Sequence, residues 1–262
     1  MKHKVLARNI RICLLLFVSV FVFNDVHTQT FKEKRDFIRP GAVCTEEYVP
    51  NLKGKRVAVL AHAASRIGSR HLVDSLLSLG IHITKIFSPE HGFEAKKSDG
   101  ETIADGMYSY IPISSLYGQK KKPSLDDLED VDILLFDLQD VGLRFYTYVS
   151  TLTYTMEAAA ESSVHLVVLD RPNPHRPIVD RPVLEEAFTS FVGLHPVPIM
   201  YGMTLGEYAL MVKGEKWVKK SDQLSLEIIH VQNYHGTSYK LTIPPSPNLP
   251  NHNAVMLYPH LC

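Results

Sequence analysis

Ile133-Leu134-Leu135-Phe136-Asp137 is a run of four large apolar residues closed by an acid. A strand with one wet face alternates apolar and polar side chains, whereas an unbroken apolar run bounded by acids predicts a central parallel strand covered on both faces. Related patterns lie on either side. Residues 56–61 (Arg-Val-Ala-Val-Leu-Ala), 81–87 and 165–170 (His-Leu-Val-Val-Leu-Asp) read as further strands, and 113–116 as a short one. Helical patterns separate them. Residues 71–79 put Leu72, Leu76 and Leu79 on one face, with Ser69 placed to cap the helix and Gly80 to stop it. Residues 124–128 read as a brief helix and 145–162 as a long one. This βαβα alternation predicts an α/β fold built on a doubly wound parallel sheet covered by helices.

The pattern changes after Asp170. Residues 171–182 carry four prolines in twelve positions, which predicts a loop or crossover. Thr204 and Glu207 form a capping box that opens another helix, with Gly214 near its end. Residues 224–231 are strand-like, and Pro244-Pro245-Ser246-Pro247-Asn248 is expected to be rigid and extended. A domain boundary is placed at 185–200. It separates an N-terminal domain over 40–190 from the start of a second α/β domain over 191–262, too small for an independent core and read as incomplete.

At the other end, Lys2, Lys4, Arg8 and Arg11 precede an apolar run over 12–23 and then polar Asn24, Asp25 and Thr28. This is the pattern of a secretory signal peptide over 1–29, too short for a spanning helix. The expectation is a periplasmic or secreted protein with no stable membrane insertion after cleavage. Residues 31–50 read as polar and irregular. Lys+Arg and Asp+Glu are 28 each, giving zero formal charge. That argues against a nucleic-acid partner, which needs a basic stripe to neutralise phosphates. Outside the signal, Cys44 and Cys262 are too few for a disulfide framework.

In open α/β sheets ligands bind at the carboxyl ends of the strands, and polar residues collect there. The first strand leads to His62, Ser65 and Arg66; the second to Ser88-Pro89-Glu90-His91-Gly92-Phe93. The central strand leads to Asp137, Gln139 and Asp140, then Arg144, Tyr146 and Tyr148; the next leads to Asp170, Arg171 and Asn173. Glu90 is the sharpest candidate. Pro89 stiffens its approach, Gly92 lets the backbone turn, and a carboxyl group in a partly apolar cleft suits general-acid work. A helix cap or an arginine pair is the plainer role for the same residue. His91 is placed to orient Glu90 or touch a ligand. Glycoside hydrolysis commonly takes a second carboxylate, for which Asp137, Asp140 and Glu101 are candidates. Arg144 and Arg171 are suited to an anionic group, though internal ion pairing serves equally well. Tyr146 and Tyr148 offer a stacking face for a sugar or belong to the core. Asn248 reaches toward the cleft or occupies a surface turn. There is no Gly-x-Ser-x-Gly elbow, P-loop, Gly-x-Gly-x-x-Gly or zinc-binding His-Glu-x-x-His, so neither a nucleotide cofactor nor a metal is indicated.

Several of these same blocks carry a resemblance. Ile86-Phe87-Ser88-Pro89-Glu90-His91-Gly92-Phe93, Gly100-Glu101 and Ile113-Ser114-Ser115-Leu116-Tyr117-Gly118 are followed by the block over 136–148 (Phe-Asp-Leu-Gln-Asp-Val-Gly-Leu-Arg-Phe-Tyr-Thr-Tyr). Then come 169–174, Phe191-Val192-Gly193-Leu194-His195-Pro196, Gly202-Met203-Thr204 and 245–250. In this order they resemble the exo-β-N-acetylmuramidase family NamZ, formerly the domain of unknown function DUF1343. The resemblance implies a Rossmann-like N-terminal domain with its cleft against a second domain. It implies release of non-reducing-terminal N-acetylmuramic acid from peptidoglycan fragments, without a cofactor, so that the partner is a peptidoglycan-derived sugar or muropeptide. It implies Glu90 as the catalytic residue; an arginine on the lactyl carboxylate of muramic acid makes chemical sense beside it, and Arg144 or Arg171 is the one inferred here. Three departures stand out: His62-Ala63-Ala64 replaces an Asn-Gln-Thr-like turn, Tyr201 replaces the usual His before Gly-Met-Thr, and the acids expected shortly before Gly100-Glu101 are partly replaced, with Lys96, Lys97 and Ser98 in that segment. The sequence also stops where the family continues into its second domain. A diverged, non-catalytic muropeptide-binding protein is the competing expectation.

Overall fold

Residues 37–94, 105–236 and 239–261 are described by the computed structural model. In chain order they form α1 (Thr45–Leu52), β1 (Arg56–Ala61), the short pair β2 (Arg66–Ile67) and β3 (Arg70–His71), α2 (Leu72–Ser78) and β4 (His82–Ser88). Next come β5 (Gly106–Tyr108), β6 (Ile111–Ser115), α3 (Leu125–Leu128), β7 (Ile133–Asp137), α4 (Tyr148–Ser162) and β8 (His165–Leu169). The remainder is β9 (Val179–Val183), β10 (Pro198–Tyr201), α5 (Leu205–Gly214), β11 (Leu226–Ile229) and α6 (His252–Leu257).

The main sheet runs β11-β8-β7-β1-β4-β6-β5, parallel throughout except for the β5–β6 edge pair. From central β1 the chain winds outward through β4 and β6, then returns to the other side of β1 and winds through β7, β8 and β11. This is the doubly wound α/β arrangement expected from the apolar runs. The period-2 pleat explains why those runs are unbroken. Leu134, Phe136, Leu166 and Val168 face α4 and α5 in one core, while Leu135, Val167, Val57 and Val59 face the other with α1 and α2 residues Leu52, Leu72 and Leu76.

Several boundaries differ from the sequence reading. Residues 31–50 looked irregular because Glu46, Glu47 and Pro50 obscure α1, yet Tyr48, Val49 and Leu52 bury one face of it. Ser69 lies in the β2–β3 turn instead of capping α2, and the His71 ring takes over, its Nδ1 accepting the Val73 N–H at 3.2 Å. Helix α4 starts at Tyr148, three residues later than expected, because residues 143–146 are tied to β10 through the Leu143–Met200 bridge and the Arg144 N–H on Ile199 O. The proline-rich segment contains β9, antiparallel to β10. The capping boxes at Ser124/Asp127 and Thr204/Glu207 both form.

No break marks the boundary expected at 185–200. Strand β11 joins the main sheet beside β8, α5 packs on α4, and Ile38–Cys262 forms one compact unit. The change in composition after Asp170 therefore marks a change of connection within that unit. The signal-like segment 1–29 and Glu101 lie outside the described residues.

Candidate active site

The Glu90 loop is a β-turn hung on the end of β4. The Gly92 N–H donates to Pro89 O at 3.0 Å, and both His91 and Gly92 take left-handed backbone (φ 70° and 78°). For histidine this conformation is uncommon and carries local strain. The Leu116 N–H donates to Ser88 O at 2.8 Å, which fixes the base of the turn against β6. His91 is buried, while Glu90 is half-buried and turned toward the start of α4. There the Thr147 hydroxyl donates to Glu90 Oε2 at 2.9 Å. Thr147 is the N-cap of a 15-residue helix, whose positive end attracts a carboxylate.

Glu90, His91 and Thr147 line a cavity of about 250 Å³. Its walls are aromatic on several sides, from Tyr117, Phe145, Tyr146 and Tyr258, and Val192, Ser246, Asn248 and Leu249 complete it. Phe145 and Tyr258 meet edge to face, with centroids 5.2 Å apart. Tyr146 is buried, packs edge-on against Tyr148, and donates its hydroxyl to Pro245 O at 3.3 Å. The 244–248 segment is not fully extended: Ser246 to Leu249 forms a tight turn that leaves Asn248 exposed on the rim. Aromatic side chains set beside fixed polar groups suit a ligand that is apolar on one face and polar at its edges.

The remaining candidates lie elsewhere. Asp137 is wholly buried in a bidentate pair with Arg171, Nε on Oδ1 at 2.5 Å and Nη2 on Oδ2 at 2.9 Å. Asp140 is buried too, accepting from the Tyr201 hydroxyl and from the Gly142 N–H at 2.5 Å. Its Oδ1 has no protein partner, and burial pushes its pKa up to about 7. Tyr201, which stands where the family's usual histidine is expected, thus serves as a donor to Asp140. Arg144 donates to the carbonyls of Val197 and Pro182, tying down the β9–β10 connection, and burial lowers its pKa. Asn173 is buried with its amide on Met203 O and its carbonyl on the His175 N–H, both at 2.8 Å. None of Asp137, Asp140, Arg144, Arg171 or Asn173 lines the Glu90 cavity.

The crevice between the carboxyl ends of β1 and β7, the usual ligand position in a doubly wound sheet, is filled by side chains. His62 is fully buried there, with Nε2 accepting the Gln139 N–H at 3.0 Å and Nδ1 3.3 Å from the Tyr148 hydroxyl. Burial holds its pKa well below the ordinary histidine value. Ser65 donates to the Asp137 carbonyl at the same place. The open volume is therefore displaced one strand along, to the end of β4. A larger cavity of about 640 Å³ runs beside the later turns of α4, lined by Tyr154, Glu157, His195 and Trp217, and contains none of the candidates. Sequence reasoning missed Thr147 and the Tyr117, Phe145, Val192 and Tyr258 walls. Their one available signal was membership of the quoted blocks, which does not cover Tyr258. Among the described residues no group of His, Cys, Asp and Glu is arranged to hold a metal ion.

Residues 57–253, most of the chain and all of the main sheet save its first residue, match the family profile described as exo-beta-N-acetylmuramidase NamZ, N-terminal. The chain belongs to the NamZ family. Among individual NamZ relatives, the peptidoglycan beta-N-acetylmuramidase NamZ of Bacillus subtilis (strain 168) is 37% identical, over 81% of this chain and 53% of that protein. Two crystal structures of DUF1343 family proteins from Bacteroides fragilis NCTC 9343 are similar in fold. One has a TM-score of 0.76 at 44% identity, covering 86% of this chain and 60% of its own. The other has 0.73 at 32%, covering 85% and 58%. The chain thus spans about half the length of the curated NamZ relative it matches.

Proposed function

We propose that this protein is an exported, exo-acting glycoside hydrolase that releases non-reducing-terminal N-acetylmuramic acid from peptidoglycan fragments. The observation that carries the reading is the half-buried Glu90 carboxylate in an aromatic-walled cavity, on the motif quoted above for the family. In this role Glu90 protonates the glycosidic oxygen as the C1–O bond breaks. His91, buried beside it in the same turn, supports its orientation. Tyr146 and Asn248 contact the sugar. Export rests on the charged and apolar pattern of the first 29 residues, and among the described residues no helix is long and apolar enough to cross a membrane.

A second reading, a muropeptide-binding protein without turnover, is favoured by one observation. Asp137 and Asp140 are buried among protein partners, so among the described residues Glu90 is the one carboxylate lining the cavity. A chromogenic N-acetylmuramic acid glycoside separates the two. Turnover by the purified protein, abolished in Glu90→Gln, is the result expected. Saturable binding without turnover supports the binding reading, and equal turnover by both proteins removes Glu90 from the chemistry.

A further inference from the structure

We infer that Thr147 is the positioning residue of Glu90, fixing which carboxyl oxygen meets the substrate; the inference rests on the function proposed above for Glu90. A Ser, Thr or Asn at a helix N-cap ordinarily accepts a hydrogen bond from a backbone N–H in the first turn. Among the described residues three other helices do this: Ser124 accepts from the Asp127 N–H, Thr204 from the Glu207 N–H and Asn251 from the Ala254 N–H. Thr147 does not. It stands at the N-cap of the longest helix among the described residues and makes no side-chain cap. Its backbone is helical (φ −61°, ψ −3°), whereas Thr204 is extended (φ −74°, ψ 166°). The Leu143–Met200 and Arg144–Ile199 ties upstream account for that difference by holding the approach to the helix.

The hydroxyl released from capping is the one that reaches Glu90 Oε2 at 2.9 Å, across 57 residues of sequence. It donates its single hydrogen there, which disfavours a proton on Oε2 and so assigns the acid proton of the proposed mechanism to Oε1. Two rigid elements therefore define the carboxyl plane: the strained Pro89–Gly92 turn carries the backbone, and the first residue before α4 holds one oxygen. The preference for an anion at the positive end of α4 acts in the same direction as this bond.

The test uses the full chain with Thr147→Val, which keeps the shape and removes the hydroxyl, and Thr147→Ser, which keeps the hydroxyl. On the chromogenic glycoside, Thr147→Val is expected to lower kcat about 10- to 100-fold with KM within about twofold, the pattern of lost transition-state geometry. Thr147→Ser is expected to recover kcat to within about threefold of wild type. Unchanged kcat in Thr147→Val, or equal losses in the two variants, overturns the inference while leaving the Glu90→Gln result to judge the function. If the wild type shows no turnover, the proposed function fails and crystal structures of both variants decide this point alone. A Glu90 carboxylate that swings away in Thr147→Val but stays in Thr147→Ser supports positioning. One that keeps its place in both refutes it.

Discussion

Arg171 holds Asp137 with two nitrogens in a pair from which water is excluded, and neither partner opens on the Glu90 cavity. Both had the sequence credentials of site residues, at the ends of adjacent strands. Their chemistry is spent on each other, closing the crevice between β7 and β8. Removing one partner leaves an uncompensated buried charge, which costs about 3–5 kcal/mol. Arg171→Met and Asp137→Leu should each lower the urea midpoint accordingly, while the double variant, which removes both charges, should recover part of the loss. Single variants as stable as wild type would show that the pair does not hold the strand ends together.

Asp140 and Asp170 make stability depend on pH in a predictable direction. Burial raises Asp140 to about 7 and Asp170 to about 6, against an unfolded carboxyl near 3.9. The folded protein then keeps protons that the unfolded chain releases. This contribution is complete below about pH 4 and is lost as pH rises through about 6 to 7, by at most about 1.4 kcal/mol per pH unit for each group. Buried His62, His71, His175 and His195, whose pKa values burial lowers, act with the opposite sign. A difference measurement therefore isolates the acid. Relative to wild type, Asp140→Asn should gain stability between pH 4.5 and 7.5. Tyr201→Phe should lose it more steeply, since the hydroxyl it removes lowers the Asp140 pKa. Urea midpoints at several pH values check both, and parallel pH profiles for all three proteins would contradict the assignment.

How far this was legible follows from what each residue's role depends on. The core strands were visible because burial on both faces requires an apolar run, a property of five or six consecutive residues. The two-stranded β9–β10 pair and the place of β11 in the main sheet were not, because pairing is set by partners distant in sequence. Strand-end position selected Glu90, which lines a cavity, and equally Asp137, Arg171 and Asn173, which turn inward. Sequence cannot distinguish a polar residue satisfied by the protein from one left to a ligand. Thr147 was hidden for the same reason: within a helix read over 145–162 it is one more polar residue of the first turn until its partner at Glu90 is known.

Gly142 tests the packing behind the site. It has φ 79°, and a Cβ there would come within 2.0 Å of Asn173 Oδ1. Left-handed backbone and overpacking each cost about 1–3 kcal/mol for a residue with a side chain. Gly142→Ala should therefore destabilise by on the order of 3 kcal/mol, seen as a lower Tm. A Tm unchanged within error would mean that Asn173 yields at no cost and that the 140–142 turn is not rigid.

Two asparagines that looked equivalent in sequence should behave oppositely. Asn248 is exposed on the cavity rim, in a turn already held by the Leu249 N–H on Ser246 O at 3.2 Å. Its side chain is not needed for that backbone bond, so Asn248→Ala should change stability by no more than about 0.5 kcal/mol. Under the proposed function it should raise KM several-fold with kcat nearly unchanged, as loss of uniform binding does. Asn173 is buried with both ends of its amide engaged. Asn173→Ala leaves Met203 O and the His175 N–H without partners, at about 1–3 kcal/mol for each group so exposed. It should unfold at markedly lower urea, with KM preserved wherever the protein remains folded. A KM effect in Asn173→Ala as large as that in Asn248→Ala would mean that the buried amide, and not the rim, governs access to the sugar.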